Sequence, residues 1–514
     1  MKNTILTLKI QAIVLLGIML FACSDDNWDK HYNADPDVVS DKNLWTTIAE
    51  TPELSVFAAL LQEYGYDELL SQSQAYTVFA PDNEALATLD VSNLDVKTEL
   101  IENHIARFMI PVSTGSVSSV YTLNGKKIKL DLQAGNYSFG TAPFALPATG
   151  IVASNGIVHI LSGYDRFFPN IWEYLAQRSD LDSIRQYLYA FDQVVFNEAA
   201  STPGSIVDGQ MTYLDSVFIN YNTMLMRLGY INREDSSYTM IAPNNTAWNE
   251  AYNRIKTDFM YYHPTQAVAD SLQQVYTKEA LVQDLFFNNN IQEAPQDSLT
   301  STSRNTFYQP QYLFAGTESI TTSNGVIYIA NELKYKPYES WHTTIKVEAE
   351  RSLGRENTLS TAYTKRSEGE MQVSADRFLQ LTPTTSSGNP TVTFEIPSTL
   401  SSAYNIYCVF VPGTVNNPAA TGLKPCKFYF QLSYQDTDGT TKTDRFPDSG
   451  TIESNPYVMD SVLVVANFKF PTANYGEELT TVKLKLLSNV ARTETANFSR
   501  ELWLDCILLE PKKE

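Results

Sequence analysis

Residues that build most catalytic and metal-binding sites are scarce in this sequence. Only four cysteines and five histidines occur among its 514 residues. The histidines are His31, His104, His159, His263 and His342. None of them lies in an HExxH segment or beside a cysteine at metal-site spacing. A phosphate-binding P-loop, a GxGxxG turn after a strand and a GxSxG nucleophile elbow are also missing from the sequence. We therefore predict that the protein is not an enzyme.

Basic residues are in the minority. The chain has 37 Lys and Arg against 58 Asp and Glu, which gives a formal net charge of −21. A nucleic-acid partner needs a basic face to neutralise its phosphates, so this balance argues against one. It also disfavours electrostatic docking on anionic lipid, and the simplest role of the spread charge is solubility. Hydrophobic residues make up 43% of the chain, so cores can form, and the length predicts about three domains.

The few cysteines do not form a disulfide framework. They are Cys23, Cys408, Cys426 and Cys506, and the last three lie in the final part of the chain. These three are an odd number, and no CxxC metal site is visible. Each of them lies in an apolar strand pattern, which favours three buried free thiols. A disulfide between Cys408 and Cys426 that closes a hairpin remains the alternative.

The N-terminus has the pattern of an export signal. Residues 1–9 carry two lysines and no acid, residues 10–22 are almost wholly apolar, and Ala22 precedes Cys23. The apolar run is shorter than the about 20 residues that a membrane-spanning helix needs. This stretch resembles a bacterial lipobox, in which the cysteine receives lipid, although Phe21 departs from the usual residue. We predict a signal peptide at 1–22 and a lipidated tether at 23–37; the alternative is an ordinary signal peptide that ends near a cysteine.

An acidic run follows the predicted lipidation site. Ser24, Asp25, Asp26 and Asn27 come directly after Cys23. This run resembles the surface-export signal of lipoproteins in Gram-negative lineages that display glycan-import machinery outside the cell. The resemblance implies an outer-membrane lipoprotein exposed on the cell surface. A simple solvated tether is the alternative, because acidic residues also serve that role.

Two-thirds of the chain contain an internal repeat. The segment YTVFAPDNEAL at 76–86 returns as YTMIAPNNTAW at 238–248, an offset of 238 − 76 = 162. The segment SNGIVHI at 154–160 returns as SNGVIYI at 323–329, and NLW at 43–45 returns as NIW at 170–172. The order is kept while the offset grows, which indicates a duplicated domain whose second copy gained insertions. The largest insertion lies near residues 201–237.

The repeated segments have a local structural interpretation. Pro81 cannot continue a central strand, and Asp82 or Asn83 can cap the helix after it, so a strand–turn–helix is predicted. Asn155 and Gly156 form a tight-turn pair before a second strand. Both segments resemble the signatures of the fasciclin domain. The resemblance covers a first domain at 38–166 and a second at 167–337, implies adhesion or assembly, and makes His159 a core histidine.

Residues 343–514 have the sequence pattern of an all-β sandwich. Short β-rich runs alternate with turn residues, at 378–381, 391–396, 405–411, 427–434, 461–470, 481–487 and 501–509. The two ends of this region resemble the jelly-roll carbohydrate-binding modules of the galactose-binding type. In that family, carboxylates of the first and last strands hold a structural calcium, which here implies Glu348, Glu350 and Asp505 as ligands. The alternative is a solvent-facing pair of strand glutamates.

No ligand-binding residue can be assigned from the sequence. Tyr404, Phe446, Tyr457 and Tyr475 are aromatic residues in predicted loops, but with 30 tyrosines in the chain such a choice is close to chance. The predicted fold class is α+β, with two fasciclin-like β-sandwich/helix domains followed by an all-β jelly roll. The predicted function is a non-catalytic surface lipoprotein that binds glycan or protein, as an accessory of an outer-membrane glycan-capture complex. A cell-surface adhesin and a purely structural envelope subunit are the alternatives.

Overall fold

A computed structural model describes residues 41–512, except 88, 91–93, 112–116, 134–135, 147–149, 208, 216–217, 370 and 477–479. Cys23 and the predicted tether lie outside the described residues. The chain divides into two compact units between Phe168 and Pro169. Within the described part of the chain, no helix combines the length and the apolar composition that crossing a bilayer requires.

The first unit combines short helices with two four-stranded sheets. Its helices are α1 (Leu44–Ala49), α2 (Ser55–Glu63), α3 (Tyr66–Ser71) and α4 (Asn83–Ala87). Its strands are β1 (Tyr76–Pro81), β2 (Ile105–Arg107), β3 (Val117–Tyr121), β4 (Lys127–Gln133), β5 (Asn136–Phe139), β6 (Ala142–Pro143), β7 (Ile151–Ala153) and β8 (Gly156–Leu161). The sheets have the orders β2-β1-β8-β7 and β3-β4-β5-β6.

The predicted strand–turn–helix is present. β1 ends at Pro81, and the Asp82 carboxylate accepts a hydrogen bond from the Ala85 N–H at 2.7 Å, so Asp82 caps α4. Asn83 has another role, because its amide contacts Pro52 O and Val56 N across to α2 and the turn before it. β1 is buried along its whole length and pairs in parallel with β8.

The second unit begins with a mixed helical and stranded segment, residues 169–337. Its helices are α5 (Ile171–Gln177), α6 (Asp182–Tyr189), α7 (Thr223–Leu228), α8 (Asn245–Ile255), α9 (Gln266–Val282) and α10 (Gln311–Phe314). Its strands are β9 (Asp192–Phe196), β10 (Thr202–Val207), β11 (Gln210–Asp215), β12 (Phe218–Asn222), β13 (Tyr238–Pro243), β14 (Phe286–Asn288), β15 (Ser298–Thr300), β16 (Thr306–Tyr308), β17 (Glu318–Thr322) and β18 (Gly325–Ala330).

The two repeated segments occupy equivalent strands. The sheet order β14-β13-β18-β17 matches β2-β1-β8-β7, and both central pairs are parallel in the same register. Two buried asparagines repeat as well. Asn155 accepts from Leu44 N–H and donates to two carbonyls, and Asn324 accepts from Ile171 N–H and also donates to two carbonyls. The two repeated segments therefore share their hydrogen-bonding geometry as well as their sequence.

The insertion of the second copy forms an extended β-structure. β9 pairs with β12 and β10 pairs with β11, each as a separate antiparallel two-stranded sheet. We call residues 192–222 the arm. Its base is held by Asn222, which donates to Leu188 O at 2.9 Å and to the Asp192 carboxylate at 2.7 Å.

The remainder of the second unit is a two-sheet antiparallel sandwich. Its strands are β19 (Ile345–Glu348), β20 (Arg355–Thr358), β21 (Ser360–Arg366), β22 (Arg377–Pro383), β23 (Thr391–Glu395), β24 (Ala403–Phe410), β25 (Lys427–Gln435), β26 (Thr441–Phe446), β27 (Ile452–Glu453), β28 (Asp460–Lys469), β29 (Lys483–Ser488) and β30 (Leu502–Pro511). One sheet has the order β21-β22-β30-β24-β28 with β19 beside β30. The other has the order β20-β23-β29-β25-β26 with β27 beside β25.

The predicted α+β fold class is confirmed. Each of the seven β-rich runs that the sequence indicated falls on a strand of the sandwich, while β20, β21, β26 and β27 were not predicted. The stretch that joins residues 169–337 to the sandwich is more buried than a linker between two domains usually is. Ser340, Trp341 and His342 are all buried, because the Trp341 indole donates to Asp258 at 2.9 Å and His342 packs edge-on against Tyr404.

Candidate functional site

A cluster of carboxylates lies where the first and last strands of the sandwich meet. β19 pairs with β30, and Glu348 lies directly opposite Cys506. Asp505 precedes Cys506, and the ligand atoms of Glu348, Asp505 and Cys506 all lie within 4.8 Å of one another. Glu350 follows the end of β19 and does not belong to this group. The structure thus brings two of the three predicted ligands together.

A short loop closes over this carboxylate cluster. Ser374 donates its backbone N–H to Asp505 at 2.9 Å and its hydroxyl to Glu348 at 2.6 Å. The next two residues, Ala375 and Asp376, have φ angles of 51° and 56°, a left-handed turn that bends the chain back into β22. Lys346 is the nearby cation, with Nζ at 3.4 Å from the Glu348 carboxylate.

Carboxylate oxygens without hydrogen-bond partners lie in and beside this cluster, where Arg377 is a second cation near Glu350. One carboxylate oxygen of Glu348 and one of Glu350 are buried without a hydrogen-bond partner. Burial raises the pKa of Asp505, and the charge of Glu348 adds to that rise. Burial likewise raises the pKa of Glu350, with smaller contributions from Glu348 and Asp505. These are the signs of buried carboxylates that face one another.

The donor set fits a hard cation. Two carboxylates within 4.8 Å, one of them with a buried Glu348 oxygen that has no hydrogen-bond partner, are groups that a divalent ion would satisfy. Sequence reasoning missed Cys506, whose only signal was its position beside Asp505. Burial and the charge of Asp505 raise the pKa of the Cys506 thiol to about 12, so the sulfur is protonated in the metal-free protein. The oxygen ligands then favour calcium over zinc.

The histidines of the repeat have structural roles. His104 is fully buried, with Nδ1 at 2.7 Å from Leu100 O and Nε2 accepting from Asp165 N–H at 3.0 Å. His159 contacts Ile110 O through Nε2 at 3.0 Å, as expected for a core histidine. Tyr328 replaces it in the second copy and donates to Ile291 O at 2.9 Å. Burial lowers the pKa of His104 to about 4, so it remains neutral at physiological pH.

The three cysteines of the sandwich are free and buried, as the sequence favoured. Cys408 and Cys426 do not form the alternative disulfide. Burial raises the pKa of Cys426 to about 12 and that of Cys408 well above its usual value. These thiols are therefore protonated and belong to the core.

The loop aromatics considered from the sequence do not form a common platform. Tyr404 is almost completely buried, and its hydroxyl accepts from Leu400 N–H at 3.1 Å. Tyr475 packs edge-on against Phe259 and Tyr276. Of the remaining two, Phe446 is half-buried beside Phe468, and Tyr457 is exposed.

A polar row crosses the outer face of the sheet that contains β25. Strand pairing places Glu356 beside Thr393, Thr393 beside Lys485, Lys485 beside Gln431, and Gln431 beside Arg445. We call these five residues the outer row. Four strand spacings of about 4.8 Å make the row about 19 Å long. None of its members is buried, whereas their neighbours along the three central strands, β23, β29 and β25, belong to the sandwich core.

One aromatic ring lies beside the outer row. Tyr429 is two residues from Gln431 on β25 and so projects from the same face. The Arg445 guanidinium carbon lies 4.3 Å from the centre of the Tyr429 ring, and Arg445 also donates to Gly450 O at 2.6 Å. Phe428, Phe430 and Leu432 alternate with polar residues in the sequence, which indicates that the residues between them face outward. The sequence does not indicate which strands lie beside β25.

Comparisons with known proteins give one family match, within the first unit, and several solved structures of low identity. Residues 52–163 match the family model of the fasciclin domain, a non-catalytic domain type. A FAS1 domain pair from the insect cell adhesion molecule Fasciclin I is 12% identical, covers 57% of this chain and 99% of its own, and has a TM-score of 0.21. The CBM22-1 xylan-binding domain of Paenibacillus barcinonensis Xyn10C is 12% identical, covers 34% of this chain and 94% of its own, and has a TM-score of 0.23.

A third solved structure is an enzyme with such a module. The CBM22-1–GH10 modules of Clostridium thermocellum xylanase 10B, complexed with xylohexaose, are 15% identical and cover 35% of this chain, with a TM-score of 0.22. This chain spans only 29% of the length of that one.

Proposed function

We propose that this protein is a non-catalytic surface lipoprotein whose C-terminal sandwich binds glycan through the outer row. The observation that carries the proposal is the continuous row of hydrogen-bonding side chains on five adjacent strands beside Tyr429. The row contains carboxylate, hydroxyl, ammonium, amide and guanidinium groups, so it offers both donors and acceptors. A sugar hydroxyl donates and accepts in the same way, and a tyrosine ring offers an apolar face with a polar edge.

A glycan array with the protein lacking residues 1–37 tests this function. The expected result is binding to a family of related oligosaccharides, with at least tenfold weaker binding after Gln431→Ala and Lys485→Ala together. Lys442→Ala is the matched control, because Lys442 is an exposed lysine of the same sheet that lies outside the row. A protein that binds no glycan, or a double variant that binds as the parent does, would contradict the proposal.

The second copy of the repeat belongs to the proposal as another fasciclin-type domain. Its support is the shared register of the central strands and the equivalent asparagine contacts described above. Two fasciclin-type domains beside a glycan-binding sandwich are in keeping with an accessory of a glycan-capture complex. Gene neighbourhood separates this role from an adhesin, since an adjacent importer pair and glycosidases favour glycan capture.

The location in the outer membrane is proposed from the N-terminus. Lipid on Cys23 anchors the protein, and Asp25 and Asp26 direct it to the outer surface. Replacing both aspartates with alanine should keep the lipid and reduce cleavage by protease added to intact cells. Equal protease sensitivity with and without the two aspartates would argue that the acidic run is only a tether.

The arm favours a second candidate function, which is binding of a protein partner. Its apolar side chains are strongly exposed, with Val194 at 71%, Ile206 at 67% and Phe218 at 59%. Exposed apolar side chains grouped on one element mark an interaction surface. Val194→Ser with Phe218→Ser should reduce cross-linking to envelope proteins in living cells while melting stays unchanged. Unchanged cross-linking would remove this candidate.

A further inference from the structure

A cavity of about 850 Å³ lies within the second unit, between its fasciclin-like part and the sandwich. Arg304 and Tyr308 contribute from the region of β16, and Asn405 contributes from the start of β24. The end of β30 contributes Glu510 and Lys512. None of these residues belongs to the outer row or to the carboxylate cluster.

The two walls of the cavity are held together elsewhere. Met260 N–H donates to the Ser401 hydroxyl at 2.8 Å, and the Tyr261 hydroxyl donates to Tyr475 O at 2.7 Å. Beside the cavity, the Asn305 amide donates to Ser340 O at 3.1 Å. These contacts join the fasciclin-like part to the connecting stretch and to the sandwich on either side of the cavity.

The chemistry of the walls is that of a polyol site. Threonine hydroxyls and two tyrosines line the cavity, and Pro511 is the one aliphatic residue in its lining. Asn305 and Asn405 also line it, but the Asn305 amide donates to Asp284 and Ser340 O, and the Asn405 amide oxygen accepts from Asn467 N–H. Tyr308 is 63% exposed, so one ring is available for the apolar face of a sugar. Arg304 lies in the turn between β15 and β16, where its N–H donates to Ser301 O at 3.0 Å and its φ is 73°.

Charge and size narrow the ligand class. The lining contains two exposed cations, Arg304 and Lys512, and one exposed anion, Glu510, while Glu339 is buried and pairs with Lys336 at 3.3 Å, so the formal charge open to a ligand is 2 − 1 = +1. One excess charge does not require a strongly charged ligand. The volume falls in the usual range for small-molecule sites of about 300–1,000 Å³. A peptide ligand would need an apolar anchor pocket, which this polar lining does not provide.

We propose that this cavity is a second glycan-binding site, which takes a short neutral oligosaccharide between the fasciclin-like part and the sandwich. The ligand class rests on the proposed glycan-binding function, while the location is independent of it. Both walls belong to one compact unit, and the stretch that joins them is buried at Ser340, Trp341 and His342.

The test uses the protein lacking residues 1–37 on an array of neutral and uronic-acid-containing oligosaccharides, followed by calorimetric titration with the strongest neutral ligand. Tyr308→Ala and Arg304→Asn are the cavity variants, since both side chains are exposed and asparagine tolerates the left-handed backbone. Tyr308→Phe keeps the ring. Tyr363→Ala is the matched control, an exposed tyrosine on β21.

We expect the parent to titrate with two neutral-oligosaccharide sites per chain, and Tyr308→Ala and Arg304→Asn to leave only one, with Tyr308→Phe and Tyr363→Ala close to the parent. Binding that is lost only in the Gln431→Ala and Lys485→Ala double variant would overturn the cavity site and leave the proposed function intact. Binding only to uronic-acid ligands would overturn the neutral class. Absence of any glycan binding by the parent would overturn both proposals.

Discussion

The carboxylate cluster leads to the sharpest prediction for this protein, which is that Asp505→Asn removes a stabilising effect of calcium. Asparagine keeps an oxygen that can accept the Ser374 N–H bond, now 2.9 Å long, so the loop above the cluster keeps its contact. The substitution removes one of two neighbouring negative charges, because the carboxylate oxygens of Glu348 and Asp505 lie within 4.8 Å of one another.

The electrostatic magnitude follows from that distance. Two unit charges 4.8 Å apart repel by about 3 kcal/mol at an effective dielectric constant of 20. Lys346 offsets part of this repulsion. Without metal, Asp505→Asn should therefore melt at the same temperature as the parent or higher. With calcium at about 100 times its dissociation constant, the parent gains about 2.7 kcal/mol, or roughly 5 °C.

Calorimetric melts of the parent and the variant, each in calcium and in chelator, measure both effects. Glu453→Gln is the control, because it neutralises an exposed carboxylate on β27 and should leave the calcium response unchanged. Identical transitions of the parent in calcium and in chelator would refute the metal site. A variant that melts well below the parent in chelator would refute the repulsion argument, since the charge would then be stabilising.

Three further predictions concern the rest of the chain. Burial lowers the pKa of His104 to about 4, so below about pH 6.5 the unfolded chain binds a proton that the folded state does not bind. The free energy of unfolding of the first unit should therefore fall by about 3 kcal/mol between pH 6.5 and 4. His104→Gln should flatten that pH dependence in denaturant titrations. Asn324→Ala leaves Ile171 N–H and two carbonyls without partners and should cost about 3 kcal/mol or more by urea unfolding, whereas Asn331→Ala at an exposed position should cost little. Cys23→Ala should release the protein from membranes and abolish palmitate labelling; unchanged labelling would sink the lipid anchor.

The local sequence was sufficient to predict the structure wherever a few neighbouring residues determine the backbone conformation. Pro81 ends a strand because it has no N–H to donate, and Asp82 caps the next helix with its own side chain. The alternation along β25 predicted a strand with one buried face. The repeat could be found because both copies need the same turn residues and the same buried asparagine.

The residues of the carboxylate cluster could be predicted only in part, and the part that could be predicted came from the family resemblance. Glu348 and Asp505 meet because the first and last strands are paired, as the jelly-roll resemblance implied. Glu350 was expected on the same strand face, but β19 ends at Glu348, so the period of two no longer applies to it. Cys506 entered the cluster only because it lies opposite Glu348.

Sequence alone thus determined the repeated strand–turn–helix units, the α+β class, the β-rich C-terminal region and the free thiols, since each follows from contacts within a few residues or from residue chemistry. The tertiary structure decided the outer row, the cavity around Tyr308 and the burial of Trp341. These features join residues far apart in the chain, such as Thr393, Lys485 and Gln431. Their neighbours are chosen by strand order and by the packing of one unit as a whole, for which a single sequence carries no local signal.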